Sequence, residues 1–337
     1  MRISEEKKAA LRQYLLRKIE EGEKSLSKCV AEAFDLNQST IHGYINELAV
    51  QNIIRRTSRG KYELTETEER FVLNRAEGDL DSDMYAYQKY LLPRISDLPP
   101  NVQEMWGYAF TEMTNNVMDH SEAEHAELTI RRNALDTAVT IADDGIGIFE
   151  KIRRHFQMDS LDDAVCELFK GRLTTDTAHH SGEGIFFSSK LMDSFMIVSD
   201  GKVFSRDKFD MEQLRELSDG RRGTTVQMKL SNTSQKHSYE VFDRYSDEDN
   251  RFTKTRIPLR MMFDSSPVSR SQAKRVCNRL DEFREITLDF DGLEWMGQGF
   301  AHQIFVVFQR EHPDIRLIPI HMSETVKAMY RHVTERE

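Results

Sequence analysis

Between Val102 and Ser121 the sequence imposes two patterns on one predicted helix, and any fold of the chain has to satisfy both. Val102, Met105, Trp106, Ala109, Phe110, Met113 and Val117 recur at helical spacing, which predicts an apolar stripe packed on a sheet. Glu112, Asn116 and His120 lie off that stripe. Four-residue steps stack these three side chains on one helical face, where a carboxylate and an amide can reach a common ligand. Further along come Asp143-Asp144-Gly145-Ile146-Gly147 and then Gly182-Glu183-Gly184. A polar helix face followed by two glycine-containing turns suggests a nucleotide site.

At 337 residues the chain is long enough for two or three cores. Its net charge of -10 argues against coating nucleic acid over the whole surface. The charge is uneven, however: residues 1–62 hold 12 Lys and Arg against 8 Asp and Glu, which leaves room for a basic module on an acidic body. Cys29, Cys166 and Cys277 form no CxxC pair and no zinc-ligand cluster, so they read as ordinary thiols of a reducing compartment. The charged N-terminus and the lack of an apolar run of about 18 residues predict a soluble, cytoplasmic protein without membrane contact.

Residues 5–21 predict a helix with Ala9, Leu11, Tyr14, Leu15 and Ile19 as its apolar set. Residues 27–34 and 38–51 predict two helices about a short turn, and 53–56 and 61–64 two strands about Ser58-Arg59-Gly60. This order resembles a winged helix-turn-helix domain over residues 1–65. The resemblance implies that Gln38, Ser39, Thr40, His42 and Gly43 open a recognition helix facing the DNA major groove. Arg55, Arg56, Arg59 and Lys61 would form a wing against phosphates.

Charged residues 66–80 read as a connector, and 83–95 as a helix ahead of the Pro99-Pro100 break. Strands are expected at 126–132 and 137–142, the second delivering Asp143 to a strand end. A helix at 161–169, a hairpin about Asp200-Gly201 and a strand at 224–230 complete an α+β sandwich.

Glu112-xxx-Asn116-xxx-His120, Asp143-x-Gly145-x-Gly147, Gly182-x-Gly184 and Gly223-Thr224-Thr225 resemble, in order and spacing, the N, G1, G2 and G3 boxes of the GHKL ATPases. That superfamily includes gyrase, the mismatch-repair protein MutL and histidine kinases. The Glu-xxx-Asn-xxx-His form is most similar to the anti-sigma-factor serine kinases. The resemblance implies a Bergerat-type α/β sandwich over 81–232 that binds ATP and Mg²⁺. Asn116 would ligate Mg²⁺, and Glu112 would act as the base toward a water or hydroxyl attacking the γ-phosphate. Asp143 would accept from the adenine amino group, with Gly145 and Gly147 giving the backbone room beside the base. Gly182 and Gly184 would open a helix toward the phosphates, Thr224 or Thr225 would close the adenine pocket, and His120 would touch nucleotide. Residues 149–181 correspond to the ATP lid, where Arg172, Thr174 and Thr175 are the candidate phosphate contacts.

Polar residues 233–252 read as a linker, and residues 253–337 alternate strands with helices, which predicts a small parallel sheet covered by helices. The run from Ile286 to Phe300 resembles the STAS-like domain often joined to GHKL modules and related to anti-sigma-factor antagonists. Those antagonists take phosphate on a serine at a helix start. Here the region reads Gly297-Gln298-Gly299, so phosphorylation of this domain in cis is not expected, and a docking role on the ATPase domain or a protein partner is.

The expected protein is thus a multidomain α+β chain in three parts: winged helix, GHKL ATP-binding domain and STAS-like α/β domain. Its expected function is nucleotide-gated DNA-binding regulation with slow ATP hydrolysis, and the family makes a homodimer reasonable. The alternatives are a serine/threonine kinase of a partner-switching system and a non-catalytic ATP sensor.

Overall fold

The computed structural model describes residues 4–173, 182–205, 222–263 and 265–335. Thr174 and Thr175 therefore lie outside the described residues. At the N-terminal end, α1 (Glu5–Glu20) begins at Ser4, whose Oγ accepts the Lys7 N–H at 3.2 Å. Helix α2 (Leu26–Phe34) stops where Asp35 turns left-handed, and α3 (Gln38–Val50) follows. Strands β1 (Ile54–Ser58) and β2 (Lys61–Leu64) pair antiparallel. Leu11, Leu15, Val30, Ile41, Ile45, Leu48 and Ile54 form one small core, and Leu135, from a turn of the larger sheet that follows, is buried within it.

Residues 66–80, expected as a connector, instead contain β3 (Thr67–Asn74), which pairs with β4 (His125–Arg132) along its whole length. β3 is the edge of a six-stranded sheet of order β3-β4-β5-β8-β6-β7, with β5 (Asp136–Asp143), β6 (Ser194–Ser199), β7 (Lys202–Ser205) and β8 (Thr224–Ser231). All neighbouring strands run antiparallel. Alternate residues such as Leu128, Ile130, Val139 and Ile141 are buried, as a sheet with one covered face requires. Three short helical stretches, α4 (Asp83–Ala86), a wider turn at Tyr87–Leu91 and α5 (Leu92–Ile95), form the expected 83–95 helix.

Helix α6 (Pro100–Asn115) starts on proline, whose fixed φ and missing N–H suit a first turn. It lays Val102, Met105, Trp106, Ala109, Phe110 and Met113 into the core and runs on as a π-turn over Asn116–His120. Helices α7 (Ile148–His155), α8 (Leu161–Lys170) and α9 (Gly184–Leu191) complete the domain.

The expected linker at 233–252 is also structured. The helix Ser238–Tyr245 packs Phe242 on Phe187 at 4.7 Å between ring centroids, and Tyr245 on Phe186 at 4.9 Å. Strands β9 (Lys254–Pro258), β10 (Glu285–Asp289) and β11 (Arg316–Ile320) form a parallel three-stranded sheet. Helices Arg270–Cys277 and Glu324–Thr334, capped by Ser269 and Ser323, flank it. One hydrophobic core runs without interruption through both the six-stranded and the three-stranded domain. No helix among the described residues is long and apolar enough to cross a membrane.

At the junction, Lys170 is 1% exposed. Its ammonium donates to Glu167 Oε1 at 2.6 Å and to the carbonyls of Arg275 and Asn278 at 2.8 Å each, which uses all three N–H bonds. Arg172 donates to Glu282 O at 2.8 Å and lies over the Phe252 and Phe283 rings. This corrects its expected role as a phosphate contact, because the guanidinium is committed to the C-terminal domain. A partner removed from a buried pair strands the other charge, so Glu167→Ala should destabilise by about 3–5 kcal/mol in denaturant unfolding. Glu167→Leu combined with Lys170→Met should cost less than Glu167→Ala alone, because it leaves no buried ion.

Candidate functional site

Glu112, Asn116 and His120 are half-buried and line one cavity of ≈ 370 Å³ between α6, α7, α9 and the sheet. Because the helix relaxes to a π-turn at Asn116, the four-residue steps of the sequence continue around the same wall. Such π-turns recur at functional sites. Asn116 directs its amide nitrogen toward Met113 Sδ at 3.9 Å, and its carbonyl oxygen has no partner among the described residues. That oxygen is the hard donor an Mg²⁺ ion takes when phosphates and waters fill its other positions.

Glu112 lies directly against the first turn of α9. A Cβ placed on Gly184 would collide with the Glu112 carboxylate, so this glycine is what lets the acid approach the helix. Glu112 and Glu183 both face Tyr108, whose hydroxyl is pushed up first by burial and then by these two carboxylates.

Asp143 closes β5 with its carboxylate on the cavity wall. Oδ1 accepts the Gly145 N–H at 2.9 Å and the Thr224 N–H at 3.3 Å. Burial pushes this carboxyl up to about 6, and the two backbone N–H groups work in the opposite direction. Gly145 does not line the cavity. Its role is a close approach in the turn, since a Cβ there would meet the Ser121 carbonyl that accepts the Ile146 N–H at 2.9 Å. Gly147, at φ +82°, lines the cavity and precedes α7.

Gly182 and Thr224 also line the cavity, whereas Thr225 is buried beside it. Of the two threonines only Thr224 reaches the site, and its Oγ1 accepts the Ile148 N–H at 3.0 Å.

Three contributors escaped the sequence reading. Lys151 lines the cavity and donates to the His120 carbonyl at 2.6 Å, pinning the end of the π-turn. Asp200, expected only as a turn residue, accepts the Glu150 N–H at 3.1 Å in the first turn of α7. Ile148 is an apolar wall residue. A lysine four residues after Gly147 carries no recognisable signal, and Asp200 becomes relevant only once the hairpin folds toward α7.

In the N-terminal module Gln38, Ser39, His42, Arg55, Arg56, Arg59 and Lys61 are exposed, and Thr40 is half-buried. Arg55 pairs with Glu63 at 3.1 Å across the hairpin.

Residues 102–234 match the family model described as histidine kinase-, DNA gyrase B- and HSP90-like ATPase. Residues 272–327 match a STAS-like domain of unknown function (DUF4325). No curated protein matches the chain. The chain thus carries a GHKL-type ATPase domain with a small STAS-like domain behind it, preceded by a helical N-terminal region.

Burial raises the folded Asp143 carboxyl to about 6 from its ordinary 3.8, so protonation favours the fold and stability should fall as pH rises from 3.8 to 6. A ligand that donates a hydrogen bond to the carboxylate behaves oppositely, so nucleotide affinity should rise from pH 5 to 7 with a midpoint near 6. Fluorescent-nucleotide titration should show that step in the wild type and not in Asp143→Asn.

Proposed function

We propose that the protein is an adenine-nucleotide-gated DNA-binding regulator whose central domain binds ATP with Mg²⁺ and hydrolyses it slowly. The observation that carries the nucleotide reading is the cavity itself. One wall presents a desolvated carboxylate, Asp143, and another presents a carboxylate and a carboxamide, Glu112 and Asn116. Asp143 would select adenine by accepting its amino N–H, which a guanine carbonyl cannot supply. Glu112 would take the proton of the attacking water, and the helix start at Gly184 would face the phosphates. Mg²⁺, held by Asn116 and the phosphate oxygens, would neutralise charge that develops on the phosphates.

Coupling to DNA is supported by how the N-terminal module is mounted. Leu135, at the turn between β4 and β5, is part of that module's core. Gln13 Nε2 donates to Thr233 Oγ1 at 2.7 Å, just past the end of β8. β5 therefore joins the module at one end to Asp143 at the other. A shift of the cavity walls on nucleotide binding would be felt at the recognition helix α3 and the basic hairpin.

Purified protein with γ-labelled ATP should release free phosphate, and Glu112→Gln should abolish release while retaining ATP. Label appearing on protein would replace hydrolysis by kinase chemistry. DNA affinity should change on adding ATP, and equal affinity with and without it would refute the gating. Arg56→Ala with Arg59→Ala should lower the slope of log K against log salt by about 2, the value for two lost phosphate contacts.

A further inference from the structure

A second cleft, of ≈ 310 Å³, sits on the other side of α8 from the nucleotide cavity, and Leu168 lines both. Its walls come from α8, α9 and β7 of the ATPase domain, from the helix Ser238–Tyr245, and from the carboxyl ends of β9 and β10. A crevice beyond the carboxyl ends of parallel strands is where α/β sheets commonly place ligands. Three elements each contribute one cation: Lys190 from α9, Arg244 from the 238–245 helix and Arg256 from β9.

Asp289 is the only acidic residue of the lining. It is 7% exposed and already engaged, taking Arg256 Nη2 at 2.6 Å and facing His321 Nδ1 at 2.9 Å. Burial opposes its charge, but Arg256, the Asp291 N–H and His321 hold the carboxyl below the usual range. The cations of the lining therefore outnumber the carboxylates. Arg244 has no ion-pair or hydrogen-bond partner among the described residues. A guanidinium held on a cleft wall without a carboxylate presents a donor fork that matches phosphate oxygens. Aromatic rings of Phe169, Phe186 and Phe204 form the floor, and the volume suits a small organic ligand.

We propose that this cleft is a second ligand site, for a small phosphate-bearing anion held by Arg244 and Arg256 across the junction of the ATPase and STAS-like domains. A ligand there ties the 238–245 helix to β9 and braces α8 and α9 from behind. Occupancy is thereby transmitted to the nucleotide cavity through the shared wall at Leu168. The site does not depend on what the nucleotide cavity binds.

The test is calorimetric titration of the full chain with inorganic phosphate and, separately, with a hexose monophosphate, which distinguishes the free ion from an organic phosphate. At least one probe should bind saturably to the wild type. Affinity should fall at least ~10-fold in Arg244→Gln, an exposed position where the thermal midpoint should not move, because one charge-assisted contact is lost. Arg256→Lys should weaken binding as well, while Asn116→Ala, at the position where the nucleotide cavity would hold Mg²⁺ and phosphate, should leave it unchanged. Three results would overturn the proposal: no saturable binding of either probe, binding insensitive to Arg244→Gln, or binding lost in Asn116→Ala, which would place the anion in the nucleotide cavity.

Discussion

Asp143 ends β5 with its carboxylate withdrawn from bulk water, and a desolvated carboxylate is costly unless its oxygens receive hydrogen bonds. Here they come from backbone, the N–H groups of Gly145 and Thr224. The first comes from the turn that Asp143 itself opens, and the second from a strand that starts 81 residues further along the chain. The Gly145 turn is fixed by its approach to the Ser121 carbonyl, which lies at the end of the π-turn that carries Asn116 and His120. Thr224 begins β8, the strand paired beside β5. The turn after β5 and the start of β8 therefore converge on one oxygen atom, with the end of the π-turn backing the first of them, and all three border the cavity.

The same geometry explains why the domains are not beads on a string. The apolar core passes from the six-stranded sheet into the STAS-like domain without a break. The contacts at that passage fall on α8 and Arg172, immediately before the segment expected to cover a bound nucleotide. Arg275 also pairs with Asp163 at the start of α8. At the opposite end of the sheet the N-terminal module is bolted on through Leu135 and the Gln13–Thr233 bond. In this account each flanking domain grips an element that also bears on the cavity, which is the physical requirement for occupancy in the middle to be felt at the ends.

Much of this was legible in the sequence because it was written in periodicity. The α6 stripe, strands β4 and β5, the hairpin about Asp200-Gly201 and the parallel sheet of the C-terminal domain all appear where their patterns predict. Strand β3 was hidden because Thr67, Glu68, Glu69 and Arg70 are exposed on an edge, where charge is tolerated and only Leu73 is buried. The helix Ser238–Tyr245 was hidden because a few aromatic residues anchor it within a polar run. Among site residues, Glu112, Asn116, His120, Asp143, Gly147, Gly182, Gly184 and Thr224 line one cavity, and the shared wall of the first three follows from their four-residue steps. The roles of Gly145, Arg172 and Lys151 were not legible, because each is defined by a tertiary neighbour: the Ser121 carbonyl, the Glu282 carbonyl and the His120 carbonyl.

The measurement that bears most directly on this account is a comparison of ATP and GTP binding at pH 7.5 by wild type and Asp143→Asn, with thermal unfolding of both proteins recorded alongside. The account predicts that the wild type prefers ATP by at least ~10-fold, the worth of one hydrogen bond to a charged acceptor, and that Asp143→Asn loses this preference without a lower unfolding midpoint. Equal affinity for ATP and GTP in the wild type, or an unchanged preference in Asp143→Asn, would contradict it.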